Sequence, residues 1–168
     1  SVWNTYSNNA DLTGFYILDN TGSYRQQQIS SVERLVFTDT SVALDLDGKA
    51  GIVAKILGAV FGKTYITNKE YVGIGLELLD DGMSYEELAE LALGVVQVTT
   101  NDKIVTTLWT NVIGSAPSDN DKYPFIAMLE DGMSAGALVQ YAADTSFNTE
   151  NINLVGLAQT GIEYTPHV

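Results

Sequence analysis

Acidic side chains are grouped in this chain where a divalent cation could be held. Asp45 and Asp47 stand in the stretch DLDG, and Asp39 precedes them in a predicted turn. Calcium is bound by oxygen ligands, chiefly carboxylates and carbonyls. Asp39, Asp45 and Asp47 are therefore the candidate metal ligands, and calcium the candidate cofactor. An EF-hand loop also needs an oxygen ligand at its fifth position and a glutamate at its twelfth. Counted from Asp45 these are Lys49 and Ile56, so that loop is incomplete. The competing reading is local: Asp47 caps a helix beginning at Lys49 by accepting hydrogen bonds from its free N–H groups.

Other chemistries find less material. Asp80 and Asp81, and again Glu130 and Asp131, fall at predicted helix C-termini. The macrodipole disfavours anions there, so a cation or solvent must compensate. Glu86, Glu87 and Glu90 fall at a helix start, where anions are favoured. The single histidine is His167, next to the last residue, and there is no cysteine. A Ser-His-Asp triad would depend on a fraying terminus. Thiol catalysis, zinc-thiolate sites and disulfides are excluded. GIGLELLDDG lacks the spacing of a phosphate loop, and no carboxylate pair is set apart for glycoside hydrolysis. Trp3, Trp109 and the nine tyrosines could line a sugar site, although Trp109 falls on the inward face of its helix. The chain is expected not to be an enzyme.

Charge narrows the partners. The sequence carries 8 Lys+Arg against 21 Asp+Glu, a formal net charge of -13. That field repels nucleic acid and anionic membranes and favours calcium or basic partners. No run reaches the roughly 18 apolar residues that span a bilayer, so membrane insertion is not expected. SVWNTYSNN lacks the basic start and apolar stretch of a signal peptide. The expectation is a chain that is cytosolic, processed, a fragment, or exported by a C-terminal signal.

The elements that must position these residues change character along the chain. Residues 1–47 read as a β-rich segment built on GFYILDNTGSY, VERLVF and SVALDLDG. In the last of these Val42, Leu44 and Leu46 alternate with Ala43, Asp45 and Asp47, the period of a strand. Residues 48–100 read as a first helical repeat. Val53, Ile56, Leu57 and Val60 make one helical face ending at Gly62. TNKE, from Thr67, is a capping box opening a helix with Tyr71, Ile74 and Leu78 inward and a stop at Gly82. Ser84 with Glu87 is a second box, opening a helix with Leu88, Leu91, Ala92 and Val95 inward. Residues 101–168 read as a second repeat and a C-terminal helix. Val105, Leu108, Trp109 and Val112 face inward up to Gly114, and SDND from Ser118 resembles the TNKE box. Pro124 predicts a later helix start or a kink. Leu138, Tyr141 and Ala142 face inward next, and a final helix from Glu150 to Thr160 turns Leu154, Leu157 and Ala158 inward.

One phrase occurs twice: LLDDGMS from Leu78 and MLEDGMS from Met128. Asp81 and Asp131 are 50 residues apart (131 − 81), whereas Ile56 and Leu108 are 52 apart (108 − 56). The connection between the first and second helices therefore differs by two residues. The phrase reads as punctuation: Gly82 and Gly132 stop one helix, Ser84 and Ser134 start the next. Met83 and Met133 fill the corner with a flexible apolar side chain. The expected fold is α+β, with short N-terminal β strands packed on a duplicated three-helix repeat plus a C-terminal helix, in one compact unit.

With the repeat in view, LWTNVIGSAPSDNDKYPFIAMLEDGMSAGALVQYAADTSF resembles a bacterial helical repeat known as a domain of unknown function. That repeat occurs in S-layer proteins, adhesins and RTX-type exoproteins. Ile113-Gly114, Pro117, Leu129, Gly132 and Ser134 match its pattern; Ser115 stands where the family usually has Arg. The first copy has Lys63 there and lacks the Pro-Asp. SSVERLVFTDTSVALDLDGKAG is similar to the strand pair that joins calcium-binding RTX repeats to such helices. NINLVGLAQTGIEY looks like the extreme C-terminus of type I secreted proteins. Tyr24-Arg25-Gln26-Gln27-Gln28 replaces the usual Gly and Asp before the Val-Glu-Arg-Leu strand, and no Gly-Gly-x-Gly-x-Asp nonapeptide occurs.

The resemblance implies a non-enzymatic, extracellular or cell-surface tail module of an RTX-like protein, serving export and acting as a structural cap. Its implied partners are the parent's RTX repeats, the type I secretion machinery and surface polysaccharide, but not nucleic acid. The alternative is a calcium- or glycan-dependent adhesion module.

Overall fold

Phe15-Tyr16-Ile17 forms a strand of the N-terminal segment in line with its β propensity, while its other strands hold fewer such residues. The computed structural model describes residues 3–4, 15–17, 27–29, 31–37 and 40–166. Strands β1 (Trp3–Asn4), β2 (Phe15–Ile17) and β3 (Gln27–Ile29) make an antiparallel sheet in that order, with Tyr16 opposite Asn4 and Gln28. A second sheet joins β4 (Arg34–Val36), β5 (Ser41–Ala43) and β6 (Ile162–Tyr164), with Val42 opposite Leu35 and Glu163. The far end of the sequence thus completes a sheet begun near its start.

The expected alternation in SVALDLDG holds only in part. β5 lasts three residues, and Ser41, Val42 and Ala43 are all buried. Each face of this central strand is covered: Val42 packs with Leu35, Leu44 and Phe37, while Ala43 joins the main core.

Most of the described chain is helical. The elements are α1 (Lys49–Ile56), α2 (Lys69–Asp80), α3 (Tyr85–Val95), α4 (Asn101–Ile113), α5 (Asp119–Glu130), α6 (Ala135–Ala143), α7 (Ser146–Asn151) and α8 (Leu154–Thr160). α1 runs on as a π-helical turn, Leu57–Phe61, and a 3₁₀ turn, Lys63–Thr67, leads into α2. The π turn has an identifiable cause. Asn148 donates to Lys55 O at 3.0 Å and Asn111 donates to Ala59 O and Val60 O at 3.0 and 2.8 Å. Side-chain donors from distant helices take up carbonyls of the ladder, and the register loosens by one residue.

Both copies of the repeated phrase adopt one geometry. Gly82 and Gly132 have φ of 100° and 102°, the left-handed region where a Cβ is penalised. Met83 N donates to Leu78 O and Met133 N to Met128 O, each at 3.0 Å, the six-to-one bond of a Schellman motif. Ser84 and Ser134 then cap α3 and α6 by accepting from Glu87 N and Ala137 N. Only Met83 packs on the core; Met133 is exposed, so the corner-filling expected of both fits one.

Several expected details differ. Asn68, not Thr67, caps α2 by accepting from Tyr71 N at 3.1 Å. α5 begins at Asp119 despite Pro124 inside it. The bond Pro124 cannot make would have reached Asn120 O in the exposed first turn, where the carbonyl is open to solvent. The expected terminal helix breaks in two at Asn153, whose φ is 52° and whose side chain caps α8. Ile152, just before the break, is buried, while Ala158 is exposed rather than inward.

One apolar core draws on both helical stretches, through residues such as Val53, Val72, Leu88, Leu108 and Val139, and closes on Ile152 and Ile162. α3 lies along α6, close enough that a Cβ on Gly136 would sit 2.5 Å from Glu86 O.

Candidate functional site

Asp45 is placed by the end of β5 and the start of α1, and its carboxylate is fully engaged by the protein. Oδ2 accepts from Lys49 N at 3.0 Å and from Ala50 N at 3.4 Å, and Oδ1 accepts from the Arg34 guanidinium of β4. The helix-capping carboxylate is therefore Asp45 and not Asp47. The N-cap backbone position is Gly48, and Asp47 is exposed. The spacing explains the exchange: the chain turns after Leu46, so the carboxylate one step earlier reaches back over the first helical turn.

Asp39 lies outside the described residues. A calcium ion needs several free oxygens, and Asp45 already faces a guanidinium and two N–H donors. Among the described residues, no three acidic or histidine groups are gathered to hold a metal. Asp45 and Asp47 by themselves do not fit a calcium site. Asp80, at the disfavoured end of α2, finds its cation within the chain: Lys49 Nζ is 2.7 Å away and Arg34 Nη2 3.9 Å. Asp81, Glu130 and Asp131 are exposed.

A second polar cluster lies between α1, α3 and α6. Lys55 Nζ is 2.5 Å from Asp144 Oδ1, and Tyr85 donates to the same oxygen at 3.3 Å. Burial pushes the Tyr85 phenol far above its ordinary range, and the charge and hydrogen bond of Asp144 add to the shift. The hydroxyl is held neutral, suited to fixing a carboxylate and not to acting as a base.

Two clefts among the described residues are walled by apolar side chains. One cleft, about 130 Å³, lies between α1, the π turn, α2 and α3, lined by Val53, Ile56, Leu57, Phe61, Tyr71, Ile74, Gly75, Leu78, Leu88, Leu91, Ala92 and Val95. The stripe Tyr71, Ile74, Leu78, expected to face the core, lines this cleft; Val72, Leu76 and Leu79 go deeper. Leu91 and Val95 are exposed at its edge, 46% and 54%. Rings close one end: Phe61 lies 5.4 Å from Tyr65 and 5.2 Å from Tyr71 between centroids.

A larger cleft, about 430 Å³, lies between α4, α5 and α6, lined by Val105, Leu108, Trp109, Val112, Ile113, Phe125, Leu138, Tyr141, Ala142, Thr145 and Phe147. Trp109, Phe125 and Tyr141 stand in series at 6.1 and 6.3 Å. Trp109 is half-buried in this wall. Trp3 belongs to β1, and of its side chain nothing is described. Thr145 donates its hydroxyl to Ala142 O at 2.7 Å, which leaves the walls almost wholly carbon. The sequence reading put Tyr141 and Trp109 in the core and overlooked Phe125 and Phe147. The available signal was the connection two residues shorter before α5. No family model, curated protein or solved structure matches the chain.

Proposed function

We propose that residues 48–100 and 101–168 contain two copies of one three-helix unit, and that the chain is a non-enzymatic terminal module of a secreted, RTX-like surface or matrix protein. It would serve export through type I machinery and cap the folded parent outside the cell. The duplication draws support from the two clefts. Val105, Leu108 and Trp109 stand 52 residues after Val53, Ile56 and Leu57 (105 − 53). Leu138, Tyr141 and Ala142 stand 50 after Leu88, Leu91 and Ala92 (138 − 88). The repeated phrase gives the offset of 50 and the first-helix stripes that of 52, and Glu86 abuts its counterpart Gly136, as across a two-fold axis.

One observation carries the terminal-module reading. The segment resembling the end of type I secreted proteins finishes inside the fold: β6 pairs with β5, and Thr165 N donates to Lys69 O at 2.9 Å. The test fuses residues 31–168 to a passive cargo in a host with a competent type I channel, and export is expected. Deleting 151–168 would also remove buried Ile152 and Ile162, so it confounds signal with folding. The cleaner control changes exposed Val155, Ala158 and Gln159 to serine. It should lower export while leaving the thermal midpoint in place. Retention of the intact fusion in several hosts overturns the reading. Polysaccharide binding by such a retained protein would favour the adhesion alternative, for which the ring-lined cleft is the supporting feature.

A further inference from the structure

We infer that the groove between the end of α2 and the outer face of α3 docks a helical segment of a partner protein, one that carries lysine or arginine beside leucine-sized apolar side chains. The groove is broad, about 940 Å³, and mixes two chemistries. Leu78, Met83, Leu91 and Val95 supply carbon, and Asp81, Glu87 and Glu90 supply carboxylates. Its floor runs into the apolar cleft beside α1, with which it shares Leu78, Leu91 and Val95. There is no cation among the residues that line it. Asp81 and Glu90 are exposed, and among the described residues neither has an ion pair.

The fold itself does not call for this surface. Leu91 and Val95 are exposed although Leu88 and Ala92, on the same apolar stripe, are buried. Glu87, Glu90, Leu91 and Gly94 follow at helical spacing, so acid and carbon share one face of α3 over about 10 Å. Gly94 lies inside α3, where a Cβ would meet nothing within 4 Å. No turn or internal contact needs glycine there, and glycine weakens a helix relative to alanine. It leaves one end of the groove low enough for a partner's backbone to approach. The corner does not need the acids either. α6 follows the same Asp-Gly-Met-Ser phrase and carries Ala137 and Gln140, 50 residues after Glu87 and Glu90 (137 − 87).

Charge and backbone chemistry identify the occupant. The backbone of α3 is satisfied within its helix and offers no free edge, so a partner must satisfy its own N–H and C=O groups, as a helix does. Its cations meet Asp81 and Glu90 while its apolar side chains cover Leu91 and Val95. A second copy of this chain is repelled, because each carries -13. Acidic peptides are turned away by the same field.

The probe is an end-blocked synthetic peptide, Lys-Leu-Ala-Lys-Lys-Leu-Ala-Lys-Leu-Ala-Lys-Lys-Leu-Ala, carrying a neutral dye whose anisotropy is read against the full chain at about 0.15 M salt. Saturable one-to-one binding is expected. Asp81→Asn with Glu90→Gln should weaken it more than about fivefold. Asp119→Asn with Glu150→Gln removes the same charge at exposed sites on α5 and α7 and should change it less than about twofold. Leu91→Ala should weaken binding more than about fivefold. Gly94→Gln fills the groove and should do the same with the thermal midpoint unchanged or raised, which a folding defect would not give. Absence of saturation overturns the proposal. So does equal loss from the two acid pairs, which marks diffuse attraction between opposite charges. Equal affinity for the peptide with alanine in place of leucine, or full affinity in both Leu91→Ala and Gly94→Gln, overturns it as well.

Discussion

Asp45 joins two elements through one carboxylate, whose side chain is 12% exposed. Asp45→Ala removes the cap of α1 and leaves Arg34 half-buried without its closest anion; Arg34 Nη2 already lacks a hydrogen-bond partner. The expected loss is about 2–4 kcal/mol, roughly 1 from the cap and the rest from a half-buried cation left with only the more distant Asp80. Asp47→Ala should change stability by less than about 0.5 kcal/mol. Urea unfolding of both variants decides it, and equal losses would contradict the assignment. Because donors already occupy Asp45, millimolar calcium should leave the thermal midpoint unchanged. A rise that Asp45→Ala removes would reinstate a calcium site.

The capping boxes titrate in a predictable direction. A hydrogen bond from the Ser84 backbone holds Glu87 below its ordinary 4.5, and the Ser118 hydroxyl holds Asp121 below its ordinary 3.8. Folded values below unfolded ones mean stability present above these ordinary values and lost as pH falls through the folded ones. Ser84→Ala should flatten this acid limb. Tyr85 is raised, so its contribution is present below its ordinary 10.0 and lost as pH climbs beyond it. Alkaline unfolding should therefore steepen above that pH in the native protein and less so in Tyr85→Phe.

Helix boundaries set by backbone chemistry were legible in the sequence. Gly82, Gly132 and Gly114 stop helices and Ser84 and Ser118 start them because these residues act on groups within a few positions. Elements shaped from afar were not legible. The π turn depends on Asn111 and Asn148, both far along the chain. Strand β6 was hidden for the same reason: its partners are over a hundred residues earlier (163 − 42 = 121). It passes over α2 at Gly73, where a Cβ would fall 1.9 Å from Thr165 O. Gly73→Ala should push that segment off α2 at a cost of about 1–3 kcal/mol. Hydrogen exchange would then show lost protection at Ile162–Tyr164 and retained protection in α4. Uniform loss across both would mean that β6 is not a separable cover.

At the scale of the whole molecule, the two occurrences of Asp-Gly-Met-Ser pointed to a repeated plan, but not to what the plan encloses. The clefts arise between helices, and their unequal volumes follow from side chains that no local pattern ranks. The acidic candidates had the opposite fate, since Arg34 and the start of α1 consume the carboxylate that the spacing offered to a metal. The central claim, two equivalent three-helix units, can be tested by distance. The chain has no cysteine, so spin labels can be attached cleanly at introduced pairs. Labels at positions 70 and 90 report α2 against α3, and labels at 120 and 140 report α5 against α6. Pulsed electron–electron spectroscopy should give distance distributions with coincident maxima for the two pairs. Maxima separated by more than one helical turn, ~5.4 Å, would contradict the equivalence.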